Sequence, residues 1–138
     1  MIKVFLGGTC NDSTWRDKLI PKLKVSYFNP VVKNWTPECQ QEEIKQREEC
    51  DVCLYVITPK MTGVYSIAEI AEDSVKRPEK TVFAFLPVDK KKFSPHQLKA
   101  LTALGKMVTR NGGVFIETGK NPISAIAKYL NQRDKQIV

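Results

Sequence analysis

Histidine is almost missing from this chain, with His96 the only one in 138 residues. No GxSxG segment accompanies it, so a Ser-His-Asp hydrolase has nothing to build on. His96 falls in the first turn of a predicted helix and reads as a surface residue. Two glycine fingerprints are also absent: neither GxGxxG nor GxxxxGK[ST] occurs, which removes the usual dinucleotide-binding and P-loop phosphate-binding signals. No apolar run approaches the ~20 residues of a membrane span. The opening segment MIKVFLGG is interrupted by Lys3 and stopped by Gly7-Gly8, too short for a signal h-region. It reads as a strand, and the expectation is a cytoplasmic protein with no membrane partner.

Cysteine is sparse and badly placed for metal chemistry. Of Cys10, Cys39, Cys50 and Cys53, the last two form a single CxxC, but Cys53 lies inside a predicted strand and no second pair or nearby histidine completes a zinc set. Reduced, structural thiols and no metal or cofactor are the expectation. Acidic residues are outnumbered, 15 against 22 Lys plus Arg, giving a formal charge of +7. Such a balance raises nucleic acid as a partner. The positives are scattered, however: the densest run, Lys90-Lys91-Lys92, follows Asp89, and aromatic residues do not interleave with it as they do in single-strand binders. The pattern argues for a solvated basic surface rather than a nucleic-acid site.

What the chain does contain is centred on residues 51–72, DVCLYVITPKMTGVYSIAEIAE. Asp51 to Thr58 is almost continuously apolar and β-branched, as a strand buried on both faces requires. Pro59 and Gly63 stop it, and a helix from Ser66 to about Lys76 follows. Ser66 and Glu69 have the spacing of a capping box. In open α/β sheets ligands bind beyond the carboxyl ends of the strands, where helix N-termini gather, so Glu69 stands where chemistry is expected. Periodicity alone gives a plainer reading. Ile67, Ile70, Ala71, Ser74 and Val75 form an inner face, and Glu69, Glu72, Asp73 and Lys76 an outer, solvated stripe.

The rest of the chain repeats the alternation. Ile2 to Leu6 is a first strand, and Gly7 to Ser13 a loop of small and polar residues suited to binding. Ser13 or Asp12 is placed to cap a helix from Thr14 to Leu23, whose later part Pro21 opposes. Val25 to Phe28 is a second strand. Thr36 caps and Pro37 opens a helix to Cys50, with Glu38, Glu42 and Glu43 near its start and Trp35 in the loop before it. Thr81 to Leu86 is a fourth strand, Val88 to Phe93 a charged loop, and Ser94-Pro95 the start of a helix to about Val108. Val114 to Ile116 is a last strand, and a helix from Asn121-Pro122 to about Gln132 closes the alternation. Asp51, at the amino end of its strand, reads as structural.

Five strand–helix alternations in 138 residues argue for one globular α/β domain with a parallel sheet between two helical layers. Right-handed crossovers favour a flavodoxin-like three-layer sandwich with strand order 2-1-3-4-5. The loops after the first and third strands would then face each other across one crevice.

Three segments, FLGGT at the first strand, DVCLYVITP on the third and GVYSIAEIA at the following helix, resemble the nucleoside 2-deoxyribosyltransferase superfamily. The likeness is to its short branch found in bacteria and phages, and it covers roughly residues 1–86. The resemblance implies a nucleophilic glutamate at Glu69, in Glu69-Ile70-Ala71, and retaining double displacement at an N-glycosidic bond, aided by the helix N-terminus that keeps the carboxylate ionised. It implies an acid for the departing base at Glu43, with Glu42 as alternate. Contacts to base or sugar come from Gly7, Gly8, Thr9 and Asn11, and Tyr65 and Ser66 line the sugar side. It further implies a nucleoside or nucleotide substrate, no cofactor, and a homo-oligomer. One departure stands out: relatives often carry a carboxylate or hydroxyl six positions before the nucleophile, where this chain has Gly63. Transfer, hydrolysis, and a non-catalytic nucleotide-binding module therefore all stay open, with a basic nucleic-acid-binding accessory protein as a weaker option.

Overall fold

The computed structural model describes residues 1–10, 12–117 and 119–137, the stretch 134–137 by its backbone alone. Five strands form the main sheet: β1 (Lys3–Gly8), β2 (Ser26–Phe28), β3 (Val52–Ile57), β4 (Thr81–Phe85) and β5 (Val114–Phe115). They lie in the order β2-β1-β3-β4-β5, and every pairing is parallel. This is the flavodoxin-like 2-1-3-4-5 arrangement expected from the alternation.

The apolar run in β3 is explained by its position in the middle of that sheet. Every residue from Val52 to Ile57 is buried. Val52, Leu54 and Val56 face a layer built by Trp15 and Leu19 of α1 (Trp15–Leu19) and Ile126 and Leu130 of α5 (Pro122–Ile137). Cys53, Tyr55 and Ile57 face the opposite layer, with Ile70 of α3 (Tyr65–Lys76) and Leu101, Leu104 and Val108 of α4 (Pro95–Arg110). Strand residues point alternately to the two faces, so a central strand between two helical layers has no polar side to spare.

The remaining helix, α2 (Pro37–Glu49), has no apolar stripe; along it only Gln46 and Arg47 are buried. It begins as expected, with Thr36 Oγ1 accepting from Cys39 N–H at 3.3 Å and Pro37 in the first helical position. The start of α4 is a full capping box. Gln97 N–H donates to Ser94 Oγ at 3.1 Å and Ser94 N–H to Gln97 Oε1 at 2.8 Å.

Elsewhere the structure corrects the expected elements. Helix α1 ends at Leu19 and passes into a 3-10 turn over Ile20–Lys22. Pro21 lacks the N–H that a further α-turn needs. Neither Ser13 nor Asp12 caps α1; Thr14 holds that position without a side-chain bond, and Ser13 Oγ donates instead to Asp89 Oδ2 at 2.7 Å. The expected charged loop is an antiparallel ribbon, Val88–Asp89 against Lys91–Lys92, reversing at Lys90 with φ 60°. Helix α5 continues past Gln132 to Ile137.

Candidate active site

At the carboxyl rim, the β1 and β3 loops do face each other. They enclose a cavity of about 140 Å³ lined by Gly8, Thr9, Cys10, Met61, Thr62, Gly63, Tyr65 and Ser66. Four of the residues expected to bind substrate, Gly8, Thr9, Tyr65 and Ser66, are brought together here. Gly7 is not among them: a Cβ there would meet the Tyr55 ring at 2.7 Å and the Phe5 ring at 2.8 Å, so it faces inward. Asn11 lies outside the described residues. Gly63 borders the cavity, and a Cβ at that position would meet nothing within 4 Å.

The β1 loop is held from beneath. Thr9 Oγ1 accepts from Thr58 N–H at 3.0 Å, joining the two loops. Buried Arg16 donates to the carbonyls of Leu6 at 2.9 Å, Thr9 at 2.8 Å and Gly8 at 3.3 Å. Gly8 has φ 118°, and a Cβ there would lie 2.0 Å from the Val56 carbonyl oxygen. Only glycine fits so close a strand partner at a left-handed position. Gly8→Ala is expected to lower stability by about 2 kcal/mol, measured by urea unfolding, and to distort this loop.

A second cavity, of about 160 Å³, opens between α2 and α3 and is lined by Trp35, Gln40, Glu43, Ile44, Arg47, Tyr65 and Glu69. Tyr65 borders both cavities, so they adjoin. The carboxylates expected to act together, Glu69 and Glu43, share this second space. Trp35 Nε1 donates to Glu43 Oε2 at 3.5 Å. The alternate, Glu42, accepts from Gln46 Nε2 at 2.8 Å and does not line the cavity.

The capping box expected on α3 does not form. The helix begins one residue earlier, at Tyr65, with Val64 before it and no side-chain cap bond. Glu69 turns instead to Arg47, whose Nη1 lies 3.4 Å from Glu69 Oε2. Burial pushes the Glu69 carboxyl up, and Arg47 opposes that shift; Glu43, Asp73 and Glu72 reinforce it, and the outcome is a pKa of about 7. Arg47 favours the charged form of Glu69, and desolvation outweighs it.

Arg47 is the residue that periodicity missed. Its Nε donates to Tyr55 Oη at 3.0 Å, and its Nη2 donates to Asp73 Oδ1 at 2.8 Å and Glu72 Oε1 at 2.9 Å. Asp73 also receives the Tyr55 hydroxyl and Arg77 Nη1. The outer stripe of α3 is solvated only in part: Glu72 and Lys76 are exposed, but Asp73 is fully buried, and Val75, expected inside, is 70% exposed. Burial lowers the Arg47 pKa, but hydrogen bonding by Asp73 and the nearby Tyr55, Asp73 and Glu69 outweigh it and raise it above the ordinary value. The Tyr55 hydroxyl is likewise raised, by burial first and by Asp73 next, and stays protonated as a donor. The one clue in sequence is the spacing of Glu69, Glu72 and Asp73, three acids on one helical face that a buried cation can serve.

The two cysteines of the CxxC are buried. Cys50 Sγ donates to Gln46 Oε1 and Cys53 Sγ to the Arg47 carbonyl, and burial pushes the Cys53 thiol up to about 12. Asp51 Oδ2 accepts from Lys3 N–H at 2.9 Å at the far end of the sheet, a structural role.

Comparison with known families bears on this geometry. A family model described as nucleoside 2-deoxyribosyltransferase-like matches residues 1–88, well over half of the chain. The chain belongs to that family. No curated protein and no solved structure matches it. Membership in the nucleoside 2-deoxyribosyltransferase-like family suggests nucleoside glycosyl transfer. The matched residues span both cavities and every side chain of the Arg47 cluster. No helix among the described residues is long and apolar enough to cross a membrane.

Proposed function

We propose that the protein cleaves or exchanges the N-glycosidic bond of a nucleoside, deoxynucleoside or its 5′-monophosphate through a covalent glycosyl-Glu69 intermediate. The observation that carries this reading is the pairing of Glu69 and Glu43 in one small cavity beside two aromatic side chains. A glutamate oxygen attacks the anomeric carbon as the bond to the base breaks, and Glu43 delivers a proton to the departing base. A second base, or water, then attacks the same carbon; Glu69 leaves as carboxylate and Glu43 takes back a proton. This is the two-carboxylate logic of retaining glycosidases, in which a carboxylate captures an oxocarbenium-like centre.

Among the described residues Glu69 has a single polar contact, with Arg47, so most of its lone pairs are uncommitted. Trp35 is 58% exposed and Tyr65 67%, and both border the cavity as apolar walls for a planar base. The adjoining loop cavity, with Gly8, Thr9 and Ser66, takes the sugar side. Self-association belongs to the same reading. Val31, Val32 and, on α2, Ile44 are each nearly half exposed, and a monomer in sedimentation would remove this element.

The test is chromatographic detection of free base after incubation with deoxynucleosides, ribonucleosides and their 5′-monophosphates, with and without an acceptor base. Wild type is expected to release or exchange base, and Glu69→Ala to do neither. Exchange without release marks transfer; release without an acceptor marks hydrolysis, which requires water to reach the glycosyl ester. No turnover by folded wild type, with ligand-induced thermal stabilisation, would leave a nucleotide-binding module.

A further inference from the structure

We propose that Arg47 is a positioning residue for Glu69, fixing which carboxylate oxygen is held and which is free to react. The inference rests on Glu69 being the nucleophile. Its geometry comes from the planar guanidinium, whose three nitrogens point in fixed directions. Nε is taken by Tyr55 on β3, at 3.0 Å, and Nη2 by Asp73 and Glu72 on α3, at 2.8 Å and 2.9 Å. Those bonds leave Nη1 to pair with Glu69 Oε2, 3.4 Å away. Among the described residues no donor reaches the other oxygen, Oε1. The held oxygen is therefore Oε2, and Oε1 is the one that attacks.

The arrangement also supplies charge where it is needed. Glu69 shares its surroundings with three acids, Glu43 from α2 and Glu72 and Asp73 from its own helix, while neutral Tyr55 faces the cluster from β3, accepting from Arg47 and donating to Asp73, and Tyr65 and Trp35 border the cavity. Without Arg47, burial and that set of acids would favour protonated Glu69 unopposed. Asp73 is neutralised by Arg77 as well, so Arg47 is not consumed by its buried partner. When the glycosyl ester forms, Glu69 loses its charge and Arg47 keeps Asp73 and Glu72. When the ester breaks, Nη1 receives the returning carboxylate. Arg47 thus acts on both halves of the cycle through Glu69.

The experiment compares wild type with Arg47→Met and Arg47→Lys. The Glu69 carboxyl carbon is titrated by carbon-13 NMR, assigned by its loss in Glu69→Gln, alongside the pH profile of kcat/KM for base release. In the Met variant the Glu69 midpoint is expected to rise by about one unit or more, since an opposite charge at this range lowers a carboxyl pKa by that much. The acid limb of the profile moves with it, so activity lost at neutral pH returns in part at alkaline pH. If the Met variant does not fold, the Lys variant decides: one ammonium cannot serve Asp73, Glu72 and Glu69 together, and a smaller upward shift is expected. An unmoved midpoint in the folded variants, or a uniform fall in rate with the acid limb in place, overturns the proposal. Because the titration needs no turnover, a wild type that releases no base would overturn the glycosyl chemistry and still leave the Arg47–Glu69 coupling measured.

Discussion

Asp73→Ala is expected to lower the unfolding free energy by about 3–5 kcal/mol, with a Tm fall of roughly 10–15 °C. The carboxylate is fully buried and accepts from Tyr55, Arg47 and Arg77. Alanine would leave one guanidinium with Tyr55, Glu69 and Glu72, the other with Glu48 at 3.8 Å, and a buried phenol without its acceptor. The cost arises from these orphaned groups more than from the pair's own attraction, because removing one partner leaves the desolvation of the others uncompensated. The effect also reaches the site. Helix α2 buries only Gln46 and Arg47, so the Arg47–Asp73 bonds are a principal tie between the helix carrying Glu43 and the one carrying Glu69. Circular dichroism melts and urea titration of the variant check the magnitude. A change below about 1 kcal/mol would mean that the cluster is solvated rather than structural.

The contrast between α3 and α4 explains which features could be read from sequence. Ser94 and Gln97 have the same spacing as Ser66 and Glu69, and only the first pair makes a capping box. The spacing is local information, and at α4 nothing competes for Gln97. At α3 a cation arriving from another helix captures Glu69, and the helix starts at Tyr65. Periodicity places Asp73 on a solvated stripe for the same reason: a period of 3.6 separates faces by polarity and cannot register a buried arginine 26 residues away. The strands were legible because their signal is also local. A run such as Val52 to Ile57 has only one comfortable position, between two apolar layers, and the handedness of crossovers then orders the sheet. The reversal at Lys90 was not legible, since a lysine at φ 60° has no sequence signal. At the site, the resemblance points to the two carboxylates, and the strand–helix junction points to Glu69 as well, while the division of the crevice into a loop cavity and a carboxylate cavity depends on where α2 lies, which no local pattern specifies.

Glu69→Gln is expected to reduce turnover by about 10³-fold or more while making the protein more stable at alkaline pH. The first effect follows from chemistry: an amide is a poor nucleophile and a poor leaving group, so neither half of a double displacement proceeds. On the acid limb, below the Glu69 pKa of about 7, wild-type kcat/KM is expected to rise about tenfold per pH unit, because the attacking group must be ionised. The second effect follows from linkage. The folded-state pKa of about 7 lies above the ordinary glutamate value of 4.5, so between those values the folded protein binds the proton more tightly than the unfolded chain. Wild-type stability therefore falls as pH rises from about 4.5 through 7, and the neutral glutamine is spared that loss. At pH 8 the variant should be more stable by about 2 kcal/mol, a figure below the full linkage value because the cavity opens to screening water. At pH 4.5 the two proteins should converge. Urea unfolding at both pH values reads the sign. If Glu69 served only as a structural partner for Arg47, glutamine would weaken the fold at pH 8; a gain in stability coupled to loss of turnover is what a carboxylate kept ionised for reaction, at the expense of the fold, must produce.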